Sequence, residues 1–262
     1  MSLSRLFVEA GLGAGVEAPL DEAQAHYLRN VMRRADGAPL SLFNGRDGEW
    51  AATLSLRGKK AAVVVVGERT RAQAAEPDLW LCFAPVKRAR IDYIAEKATE
   101  LGVSVLQPIV TQHTAVERVN VERLRANAIE AAEQTERLTV PDVRAPVELA
   151  RLLADWPAGR RLLMCDETGG GPPIAEVLSA LDASARAAPW AIVVGPEGGF
   201  APAELAALRR IKDVAAVGLG PRILRADTAA LAALACWQAL VGDWRRPTPR
   251  LAADYRTSRA PV

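Results

Sequence analysis

Apolar and polar positions change their rhythm twice along this chain. Up to about residue 71 the apolar residues come in short runs, at 5–8, 40–43, 49–56 and 61–66. No long helical period separates them, which predicts strands. The turn Asn44-Gly45-Arg46-Asp47-Gly48, between the second and third runs, is a hairpin signal. Short strands at this spacing predict a small β-barrel over residues 1–71. One helix interrupts it. Asp21 is placed to cap that helix, and Gln24, three residues on, can reach back to it. At about 100° per residue, Ala25, Leu28, Val31 and Met32 share one face, and His26, Arg29 and Arg33 share the other.

Residues 72–78 are polar, proline-containing and linker-like. From 79 to 243 strand runs alternate with helical periods. Strands are expected at 79–83, 103–110, 161–164, 192–194 and 214–219. The first intervening helix carries the stripe Ile91, Ile94, Ala95, Ala98 and Leu101 and ends at Gly102. Asn120 is placed to cap a second helix running to about residue 138, and further helical segments lie near 173–184 and 202–212. Such alternation predicts an α/β fold with a parallel sheet covered by helices. The last helix, from about Ala226, is apolar nearly all round, so it belongs in the core or at a subunit interface.

Composition narrows the functional classes. Cys82, Cys165 and Cys236 are odd in number and far apart, which removes a disulfide framework and a zinc knuckle. His26 and His113 are the only histidines, too few for a His-built metal site. The amino terminus, with Arg5 and Glu9, has no apolar signal core. The longest apolar stretch, 228–242, is broken by Gln238 and falls short of the roughly 20 residues a bilayer requires. The expected compartment is the cytosol, with no membrane partner.

A net charge of +2 says little about nucleic acid, so any such case rests on local clusters. His26, Arg29 and Arg33, joined by Arg34, make a cationic helix face that suits phosphate or simple solvation equally well. Lys87, Arg88 and Arg90 crowd a helix start, where the macrodipole disfavours cations and an anionic partner would be welcome. Residues 244–262 hold five arginines against one aspartate and read as a flexible basic tail.

The chemistry concentrates in two strand-turn-helix units. In the first, Gly195-Pro196-Glu197-Gly198-Gly199 follows a strand and precedes a helix. Glycines there allow close approach of a ligand to the backbone, although a tight structural turn would look the same. Neither a dinucleotide G-x-G-x-x-G fingerprint nor a Gly-Lys-Ser/Thr phosphate loop occurs. In the second, Arg222 and Arg225 flank Ile223-Leu224. The apolar pair suits packing of an adenine ring, and Arg225 can hold a developing negative charge or pair with a structural neighbour.

These units, with Phe200 after the first and Leu219-Gly220-Pro221-Arg222-Ile223-Leu224-Arg225-Ala226-Asp227-Thr228-Ala229 as the second, resemble the carboxy-terminal signature of the RsmE family. Three further elements resemble that family in the same order: His26 with Val31-Met32-Arg33, Lys87 with the segment 96–103, and Glu133-Gln134-Thr135-x-Arg137 followed by Val140-Pro141.

The resemblance implies a PUA-like barrel followed by a SPOUT-type trefoil-knotted methyltransferase domain, acting as a cytoplasmic homodimer. It implies methylation of N3 of a uridine in 16S rRNA of the small ribosomal subunit, with S-adenosylmethionine as donor and S-adenosylhomocysteine as product. The donor's leaving group is built in, so no metal is required. Cofactor contacts are expected, largely through backbone, at Gly195, Pro196, Glu197, Gly198, Gly199, Leu219, Gly220, Ile223, Leu224 and Arg225. RNA contacts are expected from Arg5, His26, Arg29, Arg33, Lys87, Arg88, Arg90, Lys97 and Arg137. Because protonated N3 is a poor nucleophile, Arg225 is expected to stabilise charge on the uracil oxygens, and Glu197, Asp227 or Glu133 to accept the proton.

The chain departs from the family pattern at Asp227 (usually Glu), at Gln112-His113-Thr114 (usually Arg then Ser or Cys) and at Ala201 (usually Ser/Thr). Two other readings remain open from sequence: a SPOUT ribose 2′-O-methyltransferase, which would resemble an Asn-Glu-Gly version of the turn, and a ribosome-binding module without catalysis.

Overall fold

The computed structural model describes residues 4–58, 61–115 and 118–245, apart from the side chains of Arg88 and Ala89. Its first part comprises β1 (Ser4–Phe7), β2 (Glu17–Pro19), α1 (Glu22–His26), β3 (Pro39–Phe43), β4 (Glu49–Arg57) and β5 (Ala61–Arg71). The strands pair in the order β1-β3-β4-β5-β2, with β1–β3 parallel and the rest antiparallel. The hairpin turns where the Asn44–Gly48 signal lies, bringing Phe43 opposite Glu49. Leu6, Leu40, Leu42, Leu54 and Val64 fill the inner face. The edge strands β1 and β2 share no ladder, so the barrel-like pattern folds as an open sheet.

Asp21 caps α1 in a full capping box with Gln24. The expected apolar face stops short, however. Ala25 and Leu28 are buried, but residues Tyr27–Val31 form a π-turn that shifts the phase, leaving Val31 59% exposed and Met32 37% exposed.

The second part comprises β6 (Leu79–Phe83), α2 (Arg88–Glu100), β7 (Val105–Val110), α3 (Val121–Gln134), β8 (Asp142–Val143), β9 (Val147–Glu148), α4 (Leu149–Ala154) and β10 (Arg161–Cys165). It continues through α5 (Ile174–Ser179), α6 (Ala183–Ala187), β11 (Trp190–Val194), α7 (Pro202–Leu208), β12 (Val214–Val217) and α8 (Ala226–Leu240). The strands are parallel in the order β12-β10-β11-β6-β7-β8, with β9 beside β7. One face of the sheet, with Leu79, Leu81 and Phe83, packs on α2, α5 and α8. The other, with Trp80, Cys82 and Met164, packs on α4 and α7. Two helices differ from expectation. α3 ends at Gln134 because Glu136 takes φ +60, and the 173–184 segment divides because Asp182 caps α6.

A third, small cluster joins the two parts: Phe43, Ala132 and Leu138, with Phe7 and Val140 against them. Residues 72–78 have no regular structure but are tied down. Glu76 pairs with Arg137, and Asp78 pairs with Arg160.

Candidate active site

Strands β10, β11 and β12 run parallel and end on the same side of the sheet, at Cys165, Val194 and Val217. Ligands of open α/β sheets bind beyond the carboxyl ends of strands. Here each strand is followed by a glycine- and proline-containing loop, and the three loops enclose a cleft of about 920 Å³. All ten residues expected to contact cofactor line it, from Gly195 to Gly199 in one loop and from Leu219 to Arg225 in another.

The third wall, Cys165, Asp166, Glu167, Gly169, Gly171 and Pro173, was not anticipated from sequence. Its signal is nonetheless visible. Gly169-Gly170-Gly171-Pro172-Pro173 follows a strand run in the same way as the two recognised turns. The loops after β10 and β12 are stitched by backbone: Gly218 N–H donates to Pro172 O at 2.8 Å, and Ile174 N–H to Gly218 O at 3.1 Å. A Cβ on Gly171 would stand 2.6 Å from the Val217 carbonyl carbon, so this approach requires glycine.

The glycine turn is fixed from two sides. Gly199 has φ +72, a conformation glycine tolerates without strain. Glu167 Oε1 accepts from Phe200 N–H at 2.8 Å, and the His113 Nδ1 lies 3.0 Å from Gly199 O. Glu204 Oε2 accepts from Ala201 N–H at 2.8 Å, while its Oε1 accepts from Gln112 N–H at 2.9 Å. Glu204 thus supplies its half of a capping box. Ala201, with no acceptor, cannot supply the other half. The departures at 112–114 and 201 therefore meet at one place, behind the turn.

Asp166 closes the base of the third loop. Burial acts to raise its carboxyl, but hydrogen bonds from Thr168 and the Arg209 guanidinium outweigh that and hold it below the usual carboxylate range. Burial pushes the Cys165 thiol up to about 12, so it stands in the cleft wall as a protonated, non-nucleophilic group.

The charged candidates separate clearly. Arg225 lines the cleft and is exposed, and its side chain has no hydrogen-bond or ion-pair partner among the described residues. Glu197 also lines it and is half exposed. Asp227 sits in the first turn of α8, outside the lining residues, with Oδ1 accepting from Thr228 N–H at 2.9 Å. Glu133 is remote from the cleft. Its Oε1 accepts from Phe7 N–H at 2.9 Å at the seam between the two parts of the chain. Its candidacy as proton acceptor is therefore withdrawn.

Several expected RNA contacts are corrected in the same way. The Arg5 side chain is buried: Nε pairs with Glu49 at 2.6 Å, Nη1 donates to the carbonyls of Ala132 and Glu133, and Nη2 donates to that of Arg137. Arg137 is buried too, donating to the carbonyls of Thr99 and Val103 and pairing with Glu76. Lys97 is held by Glu96 and Glu100, both at 2.7 Å. The first two are shut away from phosphate by burial, and Lys97 has its charge offset by two carboxylates. Arg90 pairs with Glu197 and Asp227. His26, Arg33 and Lys87 are exposed, and Arg29 donates to Ala61 O at 3.2 Å. The Arg88 side chain and residues 246–262 of the basic tail lie outside the described residues. No described helix is long and apolar enough to cross a membrane, and no described group of three or more His, Cys, Asp or Glu could hold a metal.

Residues 74–238 match the RNA methyltransferase domain family and residues 20–67 the RNA methyltransferase PUA domain family. The ribosomal RNA small subunit methyltransferase E of Rickettsia conorii is 32% identical over 236 residues, covering 90% of this chain and 95% of its own. Its counterpart in Bacillus subtilis is 28% identical over 245 residues, covering 88% and 94%. The crystal structure of ribosomal RNA small subunit methyltransferase E from Neisseria gonorrhoeae bound to S-adenosyl methionine superposes with a TM-score of 0.80 at 27% identity. That superposition covers 93% of this chain and 100% of that one. A methyltransferase from Legionella pneumophila in complex with the cofactor SAM gives 0.81 at 25% identity, with the same coverage. With two consecutive domain matches, near full-length relatives and the three-loop cleft, this chain belongs to the ribosomal RNA small subunit methyltransferase E family.

Proposed function

We infer that this protein methylates N3 of a uridine in 16S rRNA of the small ribosomal subunit, using S-adenosylmethionine, in the cytoplasm. The observation that carries the reading is the cleft formed by three glycine-containing loops, with Glu197 and the unpartnered Arg225 in its lining. The residues fit the cofactor. A cleft of about 920 Å³ accommodates a molecule of that size. Its walls offer backbone N–H and C=O groups for an adenine and a ribose, and the side chains of Leu219, Ile223 and Leu224 for the face of the ring.

When bound, the cofactor supplies an electrophilic methyl group on a sulfonium, whose departure needs no metal. The chain's own groups then have two tasks. Glu197 accepts the N3 proton of the uracil, leaving the nitrogen lone pair to form the new N–C bond. Arg225, whose donors are uncommitted, stabilises the negative charge that develops on the carbonyl oxygens. The target base must be unpaired or flipped to reach them. His26, Arg33 and Lys87, exposed on the two parts of the chain, are cations among the described residues that can meet phosphate.

The protein acts as a homodimer in this reading. Ile223 is 97% exposed at the lip of the cleft, and Leu231, Ala235 and Cys236 of α8 are incompletely covered within one protomer. Sedimentation at micromolar concentration gives a dimer if this holds.

The direct test is methylation of small subunits purified from a strain lacking the gene, with the modified nucleoside identified by mass spectrometry. The expected product is 3-methyluridine, and the Arg225→Ala protein makes it about 100- to 1000-fold more slowly. A methylated ribose, or transfer to neither, refutes the proposal.

A further inference from the structure

The cation expected to serve RNA at the start of α2 faces inward, toward the reacting groups. Arg90 Nη1 lies 2.6 Å from Glu197 Oε1, and its Nε lies 3.8 Å from Asp227 Oδ2. The two carboxylates belong to different elements. Glu197 is in the glycine turn after β11, and Asp227 is in the first turn of α8. One guanidinium between two carboxylates leaves the cluster with a formal charge of −1, which repels phosphate. Lys87, exposed and without a partner among the described residues, is the better placed phosphate ligand.

Arg90 is also rigidly mounted. Its neighbour Ile91 and, one turn on, Ile94 are buried in the core under α2. Glu197, by contrast, is a half-exposed side chain on a loop, with several rotamers open to it. A short contact to a rigidly mounted guanidinium removes that freedom.

We propose that Arg90 is a positioning residue: it fixes the Glu197 carboxylate at the mouth of the cleft by tying it to the start of α8 through Asp227. The proposal rests on Glu197 being the proton acceptor. It assigns Arg90 to the chemical step and takes it out of RNA binding.

Steady-state methylation of small subunits, run on Arg90→Ala, Arg90→Lys, Glu197→Gln and the Arg90→Ala/Glu197→Gln pair, tests it. Cofactor affinity is measured by calorimetry on each protein. R90A is expected to lower kcat by about 10- to 100-fold, the cost of a misplaced reacting group, with KM for the subunit within about twofold of the parent. R90K, which keeps the charge but not the fork, recovers a third or more of kcat. The double variant is no slower than E197Q alone to within about twofold, because the arginine acts only through the glutamate.

A raised KM with unchanged kcat would make Arg90 a phosphate contact and overturn the proposal. So would losses that multiply in the double variant, or an R90K as slow as R90A. If R90A does not fold, the kcat of R90K alone still decides. A parent protein that binds S-adenosylmethionine and methylates the subunit while E197Q keeps full rate marks failure of the proton-acceptor reading, not of Arg90's contacts. A parent that does neither marks failure of the enzyme assignment.

Discussion

Glu133 offers a quantitative test of the seam between the two parts of the chain. Burial pushes its carboxyl from the ordinary 4.5 up to about 7, against the Phe7 N–H bond and the nearby Arg5, and with Glu130 adding to the rise. A carboxyl that binds its proton more tightly when folded loses stability for the fold as pH rises. The relative stabilisation is complete below about 4.5 and is gone above about 7. A displacement of about 2.5 pH units at 1.36 kcal/mol each corresponds to about 3 kcal/mol. Glu133→Gln keeps an oxygen for Phe7 N–H and never ionises. Urea unfolding of both proteins from pH 4.5 to 8 therefore shows near-equal stability at the acid end. The variant then gains by as much as 1.4 kcal/mol per pH unit, to about 3 kcal/mol at pH 8. Groups that move the other way, such as Asp47 and Asp166, cancel in the difference between the two proteins. A difference that stays flat with pH would show that Glu133 ionises normally and that its burial carries no penalty.

Arg5→Ala leaves Glu49 buried beside Ser41 and the half-exposed Arg71 alone. Burial acts to raise the Glu49 carboxyl, and Arg5 and Ser41 now hold it below the usual range. Losing a buried partner costs about 3–5 kcal/mol, and the remaining partners put this case at the lower end, read by chemical denaturation. Arg5→Lys recovers less than half, because one ammonium cannot satisfy a carboxylate and three carbonyls. Ala201→Ser supplies the acceptor missing at the start of α7, where Glu204 already provides the return bond. It raises stability by about 1 kcal/mol, seen as a higher unfolding midpoint, while kcat and KM for methylation stay unchanged.

Long periodic runs made most of the fold legible. The strands at 79–83 and 192–194 and the helix from Ala226 stand where the pattern predicts, because a central parallel strand must be apolar on both faces and a buried helix must be apolar all round. What carries no period escaped. β2, β8 and β9 have two or three residues each, and the π-turn at Tyr27–Val31 breaks a helical face without any change in residue type. Two walls of the cleft were legible because their loops carry glycines directly after apolar strands, and Gly195, Gly198 and Gly199 stand where a Cβ would meet the side chains of Phe200, His113 and Glu167. The third wall carries a similar signal at Gly169-Gly170-Gly171, where a Cβ on Gly171 would meet the Val217 backbone. The bonds from Gln112 to Glu204 and from His113 to Gly199 span 92 and 86 residues, and nothing local announces them.

Cations were the least legible feature, for a specific reason. Arg5 and Arg137 direct their guanidinium donors at main-chain carbonyls, with Glu49 and Glu76 taking one side each. Three of those five carbonyls belong to the ends of helices: Ala132 and Glu133 in the last turn of α3, and Thr99 in the last turn of α2. The last carbonyls of a helix have no partners within it and carry the negative end of its dipole. A buried arginine is well matched to such a site, since its five donors can serve several carbonyls at once. The acceptors are backbone, so no residue type marks them, and Arg5 lies 127 residues from Ala132. Read as sequence, an arginine that clamps a helix end is therefore indistinguishable from one that waits for phosphate. The consequence for this fold is mechanical. Arg5 on β1 grips α3, and Arg137 after α3 grips α2, so the first sheet is fixed to the helix that starts with Lys87 and Arg90. Buried arginine side chains thus hold the part of the chain that carries His26 and Arg33 against the helix that follows Lys87.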